Sequence, residues 1–381
     1  MTTLNTKQIF TFFILVITCA CLVSCANFKK SVKVNQTTIN KPQPVKIHNV
    51  TALLPLKDGE LAANGKAIRD GILTAYYADN DKKDKNNLNI NIIDTTGKNV
   101  MDLYNQSVAN KADLIIGPLT KPDVSIIASQ GKLPIPTIAL NTLDNYKNRV
   151  VPNLYQFGLS PQDEAEQTAT KMSGDKHLHV EIIAPDNAWG RKIANTFTNK
   201  FKETGGQITA SLYYNQNTDL DVQIKNSIQT GVDGIFLVAT PQNGRQIVPL
   251  LKFYHTTNLP AIYATSTIYS GVPNPNLDQD LNGIIFCDMP WTIEDVTNLP
   301  PRIQRIHNQV TSEWQDSFAN NSRLYALGAD AYHIMIYFNN LIESPSVKIR
   351  GATGILNIDK YNHVVRTLNW AEFKNGIPVE L

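Results

Sequence analysis

Short apolar runs alternate with longer amphipathic stretches along most of this 381-residue chain. The run Val50 to Leu56 predicts a β-strand, and Leu61 to Ala78 repeats its apolar residues with the period of an α-helix. The alternation continues through predicted strands at Ile90 to Asp94, Leu114 to Gly117 and Thr137 to Leu140. Strands separated by helices favour βαβ units, so this part of the sequence predicts a parallel sheet covered by helices.

A second series of the same kind begins after Gly158. Its first helix starts at Ser160-Pro161, a capping serine followed by a proline in the first turn. Further strands are predicted at Val180 to Ala184, Ile208 to Tyr213, Ile235 to Ala239 and Ala261 to Ala264. Two series of similar size predict an α/β protein of two lobes, with two parallel sheets flanked by helices and a cleft between them.

The residues after Ile284 are too few for a third lobe, and we expect them to complete the other two. We assign the first lobe to about residues 47–158 plus 290–350. The second lobe then takes about residues 159–289 plus 351–381.

The N-terminus carries the pattern of an exported lipoprotein. The apolar run from Ile9 to Val23 has 15 residues, fewer than the ~20 that a membrane-spanning helix needs. It ends in Leu22-Val23-Ser24-Cys25, a lipobox in which the cysteine thiolate takes a diacylglyceryl group. We predict a signal peptide at 1–24, lipidated Cys25 and a polar tether at 25–46, and the folded domain at 47–381. An ordinary signal peptide or an uncleaved anchor is the alternative.

Ala26 follows the cysteine, where an aspartate would favour retention in the inner membrane. We therefore expect the chain to be anchored in the outer membrane, on its periplasmic side. The tether could span at most about 70 Å when fully extended.

Charge and cysteine content exclude some functions. The 35 basic and 33 acidic residues give a net charge of +2 without a basic block, so we expect no nucleic-acid partner. Of four cysteines only Cys287 lies in the predicted domain, which leaves no intrachain disulfide there.

Loops at the carboxyl ends of parallel strands are where such sheets bind ligands. The candidate cleft residues in these loops are Asp94, Thr95, Gly117, Leu119, Asn141, Asn187, Trp189 and Thr240. They could form a small-molecule site, with Trp189 as a stacking surface. They could equally cap helices and turn the chain, which these residue types do in any fold, and we favour that interpretation.

Patterns for metal binding and catalysis are weak. His177, His179 and Glu181 alternate on one face of a predicted strand, but at its start, where a solvated strand edge is the better interpretation. The sequence has no Gly-x-Ser-x-Gly elbow, Walker loop or His-Glu-x-x-His motif, and Cys287 lies in an apolar run. We predict no catalytic residue, no metal and no cofactor.

Several segments resemble the type I periplasmic binding-protein fold, and more narrowly the LppC family of LpoA-type lipoproteins. The matching segments are Thr51 to Leu56, Gly65, Arg69 to Ile72, Ile115 to Leu119, Pro136 to Asn141, Trp314 to Leu327 and Gly351 to Leu356 with Arg366, Leu368, Trp370 and Phe373. The resemblance covers about Asn49 to Leu381.

This resemblance implies an outer-membrane lipoprotein that binds and activates a class A penicillin-binding protein in peptidoglycan synthesis. Family members usually carry a helical repeat domain before the binding-protein domain, and here only the short tether is expected in its place. The alternative is a lipid-anchored receptor for a small molecule such as an amino acid. An envelope hydrolase has no motif in its support.

Overall fold

The computed structural model describes residues 44–80, 88–144, 146–148, 150–227, 231–255 and 259–381. The predicted signal peptide, Cys25 and most of the predicted tether lie outside the described residues. Residues 43–381 form one compact unit.

The first sheet has five parallel strands in the order β2-β1-β3-β4-β5. Its strands are β1 (Asn49–Leu54), β2 (Asn89–Asp94), β3 (Leu114–Ile116), β4 (Thr137–Ala139) and β5 (Leu154–Gln156). Helices α1 (Ala62–Asn80), α2 (Val100–Ala109) and α3 (Lys121–Ala128) connect the first four strands. The predicted βα alternation is therefore present, and the structure adds the short strand β5, for which no strand was predicted.

The second sheet has seven strands in the order β15-β14-β10-β9-β8-β6-β7. Five of them are parallel: β6 (His179–Pro185), β7 (Gln207–Tyr214), β8 (Gly234–Leu237), β9 (Ala261–Ala264) and β10 (Ile284–Asp288). The helices of this lobe are α4 (Pro161–Gly174), α5 (Ala188–Glu203), α6 (Leu220–Ser227) and α7 (Pro241–Tyr254). Two antiparallel strands, β14 (Asn369–Lys374) and β15 (Ile377–Glu380), extend the sheet at one edge, so it is mixed rather than wholly parallel.

The remaining segments return to both lobes. Four helices, α8 (Pro290–Ile293), α9 (Pro301–Glu313), α10 (Gln315–Ile336) and α11 (Phe338–Glu343), contribute to the core of the first lobe. A three-stranded antiparallel sheet follows, with β11 (Ile349–Arg350), β12 (Ile355–Ile358) and β13 (Val364–Thr367). The chain ends in β14 (Asn369–Lys374) and β15 (Ile377–Glu380) of the second sheet.

This arrangement differs from the expected lobe division at residues 351–381. We expected all of residues 351–381 in the second lobe, but the structure divides them. Leu356, Ile358 and Val364 are buried in the core of the first lobe, whereas Ala371 and Phe373 are buried in that of the second. The hairpin and the last two strands alternate apolar and polar residues alike, so the pattern did not show which core each one would join.

Helices α1 and α10 cross at close range over the first sheet. A Cβ atom on Gly71 would lie 2.2 Å from the carbonyl oxygen of Tyr325, and one on Gly328 would lie 2.1 Å from that of Ile68. Any larger side chain at either position would push the two backbones apart. Gly71, within the Arg69 to Ile72 segment, is therefore required for the close packing of α1 against α10.

The start of the described chain is held to the first lobe. The amide of Asn339 in α11 pairs with the backbone of Val45, accepting a hydrogen bond from its nitrogen at 2.8 Å and donating one to its oxygen at 2.9 Å. Val45 and Ile47 also pack against the first core. Across the residues described, no helix combines the length and the hydropathy that a membrane span requires.

Candidate functional site

The carboxyl ends of the strands in both sheets face one cleft. Strand β5 ends at Gln156 and the chain passes directly to α4, which begins at Pro161 and runs back along the second sheet. Strand β14 pairs antiparallel with β10, so its first residue, Asn369, lies beside Asp288, the last residue of β10. Both connections therefore reach the second lobe at the carboxyl edge of its sheet, and that edge faces the first lobe.

All eight predicted cleft residues lie at these strand ends or at the helix starts beside them. Asp94 is the last residue of β2, and its Oδ1 accepts hydrogen bonds from the backbone nitrogen of Leu56 at 2.9 Å and the hydroxyl of Thr96 at 2.7 Å. Burial opposes ionisation of Asp94, but these hydrogen bonds outweigh it and hold the pKa well below its usual value. Thr95 is buried and donates its backbone N–H to Leu54. The carboxylate thus fastens the loop after β1 to the loop after β2.

Three of the predicted residues lie in the loops after β3 and β4. The side chain of Asn141 donates a hydrogen bond to the carbonyl oxygen of Leu119 at 3.0 Å. Gly117 has a φ of +101°, and a Cβ there would lie 2.3 Å from the carbonyl oxygen of Leu53. Only glycine fits this position, because both the backbone angle and the neighbouring strand exclude a side chain.

The predicted residues of the second lobe cap helices. The side chain of Asn187 accepts a hydrogen bond from the backbone nitrogen of Gly190 at the start of α5. Thr240 caps α7 in the same way, through the backbone nitrogen of Asn243. Trp189, in the first turn of α5, is 39% exposed. These contacts agree with the capping interpretation; a ligand-binding role for the eight residues stays a prediction.

Asp144 joins the two lobes directly. It lies in the loop after β4, in the first lobe, and its Oδ1 contacts Lys121 of α3 at 3.1 Å. The same oxygen contacts Lys192 of α5, in the second lobe. The hydrogen bond from Lys192 is the main cause that lowers the pKa of Asp144, with a smaller effect from Lys121. One carboxylate thereby bridges two lysines from opposite sides of the cleft.

A second, buried set of contacts lies where the chain crosses between the lobes. Glu164 of α4 accepts hydrogen bonds from the backbone and the hydroxyl of Ser266, at 3.0 and 2.8 Å. Arg366 of β13 lies 3.7 Å from Glu164 and donates to the carbonyl oxygen of Gly158 at 3.1 Å. Burial raises the pKa of Glu164, although Arg366 and Ser266 oppose this effect.

Arg323 of α10 forms the other buried connection. Its Nε donates to Asp288 at 3.2 Å, and its Nη2 donates to the carbonyl oxygens of Tyr269 at 3.0 Å and Ser266 at 3.3 Å. An arginine of the first lobe therefore binds three groups of the second lobe. The sequence singled out neither this contact nor Glu164, because each depends on residues far apart in the chain.

A groove of about 500 Å³ opens beside the crossing segments. Its lining includes Lys171 of α4, Lys200 of α5 and Trp370 of β14, together with the buried residues His363 and Arg366. None of the eight predicted cleft residues lines this groove, so the sequence did not identify it.

The structure corrects the interpretation of the His177, His179 and Glu181 pattern at one residue. The start of β6 is solvated as expected, since His179 is exposed. Glu181 is only 1% exposed, because β6 lies inside the sheet between β8 and β7. Burial raises the pKa of Glu181 to about 7, against a hydrogen bond with Ser227 that lowers it. Within the described ranges, no group of three or more His, Cys, Asp or Glu side chains could hold a metal ion.

Residues 33–376 match the LppC putative lipoprotein family. The chain belongs to this family. The predicted resemblance is thus confirmed, and the match runs through both lobes and includes the sheet formed by β11, β12 and β13.

The LppC-family chain is 31% identical over 351 residues to the penicillin-binding protein activator LpoA of Haemophilus influenzae, covering 88% of this chain and 56% of that protein. It therefore spans about half the length of the curated relatives that it matches. The solved C-domain of LpoA (YraM) from the same organism, described as a regulator of PBP1A, has a TM-score of 0.71 at 28% identity. That match covers 87% of this chain and 99% of the C-domain.

The two-lobed α/β fold is confirmed by a further structure. A putative branched-chain amino acid ABC transporter protein from Chromobacterium violaceum has a TM-score of 0.68 at 24% identity, covering 86% of this chain and 100% of that one. The LppC-family chain thus has the fold of these proteins.

Proposed function

We propose that this chain is a lipid-anchored outer-membrane protein that binds a class A penicillin-binding protein and raises its activity in peptidoglycan synthesis. One observation carries the proposal: the described domain matches almost the whole of the Haemophilus influenzae LpoA C-domain, which is described as a regulator of PBP1A. The matched region is about half of the full-length relatives, and in this proposal the described domain makes the productive contact with the synthase.

In this proposal the domain acts by binding and supplies no catalytic residue. A regulator raises an enzyme's activity when it binds the active conformation more tightly than the inactive one. The polar side chains at the strand ends support a role without catalysis. Asp94, Asn141 and Asn187 form hydrogen bonds with the backbone of their own chain, so these side chains are already engaged in structural contacts. Cys287 is fully buried and burial raises the pKa of its thiol well above the usual value, which disfavours a nucleophilic role.

The membrane anchor in this proposal is Cys25, and membership of a lipoprotein family supports it. Val45 is held to α11, so the segment between Cys25 and Val45 would be the tether. At ~3.3 to 3.6 Å per residue this segment limits how far the domain can stand from the membrane, and the synthase would have to cover the remaining distance.

The test captures partners of the lipidated protein from detergent-solubilised envelopes of the source organism. We expect a class A penicillin-binding protein to co-purify with the full chain and to be lost when the domain is removed. Recovery of other envelope proteins without any class A synthase would contradict the proposal.

A receptor for a small molecule is the alternative function. The fold is compatible with it, but the cleft of such receptors closes on a solute that contacts both lobes. In this domain Asp144 and Lys192, which belong to different lobes, contact each other directly. A calorimetric screen in which a free amino acid binds the soluble domain tightly would favour the receptor over the regulator.

A further inference from the structure

The loop after β4 is the part of the first lobe that reaches over to α4 and α5. We call residues 142–144 and 146–148 the bridging loop. Asp144 contacts Lys192, and Lys147 lies 3.5 Å from Glu166 of α4. Tyr146 stacks on His363 at 4.4 Å between ring centroids, and His363 in turn lies 3.3 Å from Asp163 of α4. The loop therefore meets the second lobe directly at Lys192 and Glu166, and through His363 at Asp163.

The contacts of the bridging loop differ in solvent exposure from the contacts at the crossing segments. The side chains of Asp288 and Glu164 are 1% and 6% exposed, so the pairs that they form are protected from water and salt. The side chains of Asp144 and Lys192 are 55% and 40% exposed. Exposed ion pairs contribute little to stability and are screened by salt, so the bridging loop can separate without unfolding either lobe.

Lys121 and Lys192 contact the same carboxylate oxygen of Asp144, but the two lysines belong to different lobes. Lys121 belongs to the first lobe, like Asp144, and can only orient the carboxylate. Lys192 belongs to the second lobe, so its contact with Asp144 opposes separation of the lobes. In binding proteins of this architecture, hinge closure occurs around a bound ligand that both lobes contact.

We propose that Asp144 takes the place of such a ligand: its carboxylate, oriented by Lys121 and bound by Lys192, holds the two lobes closed in the absence of any solute. The bridging loop is then a salt-sensitive latch within the domain. Closure is a property of the chain itself, and a binding partner that competes for Asp144 or Lys192 would open the lobes. This inference does not depend on the proposed function.

The test measures the distance between the lobes by double electron–electron resonance on residues 43–381, which form one compact unit. Spin labels are placed at Lys98→Cys and Gln216→Cys, exposed positions in the loops after β2 and β7. The native Cys287 is fully buried and does not take a label. The variants are Asp144→Asn, Lys192→Gln and the two combined.

We expect each single variant to shift the ratio of closed to open molecules by roughly threefold, as for the loss of an exposed ion pair. The double variant should show the same shift as either single one, because both substitutions remove one interaction. In 1 M salt, where the Debye length is about 3 Å, the unsubstituted domain should show a similar shift.

A matched lysine on the same helix serves as the control. Lys200→Gln removes a charge from α5 that pairs within its own lobe, with Glu203. We expect this control to keep the closed distance, and all variants to melt as the unsubstituted domain does. An unchanged distance in Asp144→Asn and Lys192→Gln would overturn the proposal. So would an equal shift in Lys200→Gln, because it would indicate a general effect of charge.

Discussion

The carboxylate of Asp330, in α10, accepts hydrogen bonds from both the backbone nitrogen and the hydroxyl of Thr353, at 2.6 and 2.7 Å. Its other oxygen accepts one from the backbone nitrogen of Ala352 at 2.9 Å. Asp330 and Thr353 are both fully buried. One carboxylate thus fixes the turn between β11 and β12 against the longest helix of the first lobe.

Replacing Asp330 by asparagine should destabilise the domain by about 2–4 kcal/mol. The new side-chain NH2 group would face the hydrogen-bond donors of Ala352 or Thr353 in a buried site, and neither donor would have an acceptor there. Urea unfolding measures this change. Asp316→Asn is the matched control, since Asp316 is exposed in the first turn of the same helix and should contribute less than about 1 kcal/mol. Equal destabilisation by the two variants would show that the buried hydrogen bonds of Asp330 stabilise the domain no more than the exposed Asp316 does.

Glu181 should make stability fall as pH rises. Its pKa is raised from 4.5 to about 7 in the folded domain, so between these values the folded state keeps a proton that the unfolded state releases. Unfolding is therefore favoured progressively from about pH 5 to pH 8, by roughly 2–3 kcal/mol. Urea unfolding at several pH values should show that Glu181→Gln is increasingly more stable than the unsubstituted domain towards pH 8. Parallel curves for the two proteins would contradict the account.

Asn187 should stabilise the domain through its cap on α5. Asn187→Ala should cost about 1 kcal/mol, because a backbone donor at the helix start loses its partner. Asn187→Ser is the control, since serine caps helices as well as asparagine does and should unfold near the unsubstituted domain. Thermal or urea unfolding measures both. If alanine and serine behave alike, Asn187 has some role other than capping.

Cys25 should carry the membrane anchor. Two or three acyl chains bind a bilayer almost permanently, so Cys25→Ala should lose labelled palmitate and leave the outer-membrane fraction. Membrane fractionation with palmitate labelling measures this, and Cys21→Ala is the matched control within the same leader. A Cys25→Ala protein that still carries palmitate would place the modification elsewhere.

The alternation of strands and helices was predictable because most strands are apolar runs and the helices between them show their own period. Val50 to Leu56 and Val180 to Ala184 are predicted strands that the structure contains as β1 and β6. Strand β5 was missed because its three residues, Leu154–Gln156, end in a buried glutamine that interrupts the apolar run, whereas the equally short β3 is wholly aliphatic.

The contacts between the lobes could not be predicted from the sequence. Asp144 and Lys192 are 48 positions apart, and Arg323 and Asp288 are 35 apart, so only the folded chain brings them together. The burial of Glu181 was not predicted for a related reason. Its neighbours His177 and His179 are polar and indicated a solvated strand, whereas the position of Glu181 inside the sheet buries its side chain. The local pattern of apolar residues predicts helices and strands, but which charged side chains form pairs depends on how these elements pack in the folded chain.

We propose that the described domain by itself activates a class A penicillin-binding protein. The most direct measurement mixes the soluble domain, residues 43–381, with each purified class A synthase of the source organism and follows glycan polymerisation and peptide cross-linking. We expect the domain to bind one of these synthases and to increase its rate. Absence of binding to every synthase, with rates equal to those without the domain, would contradict it.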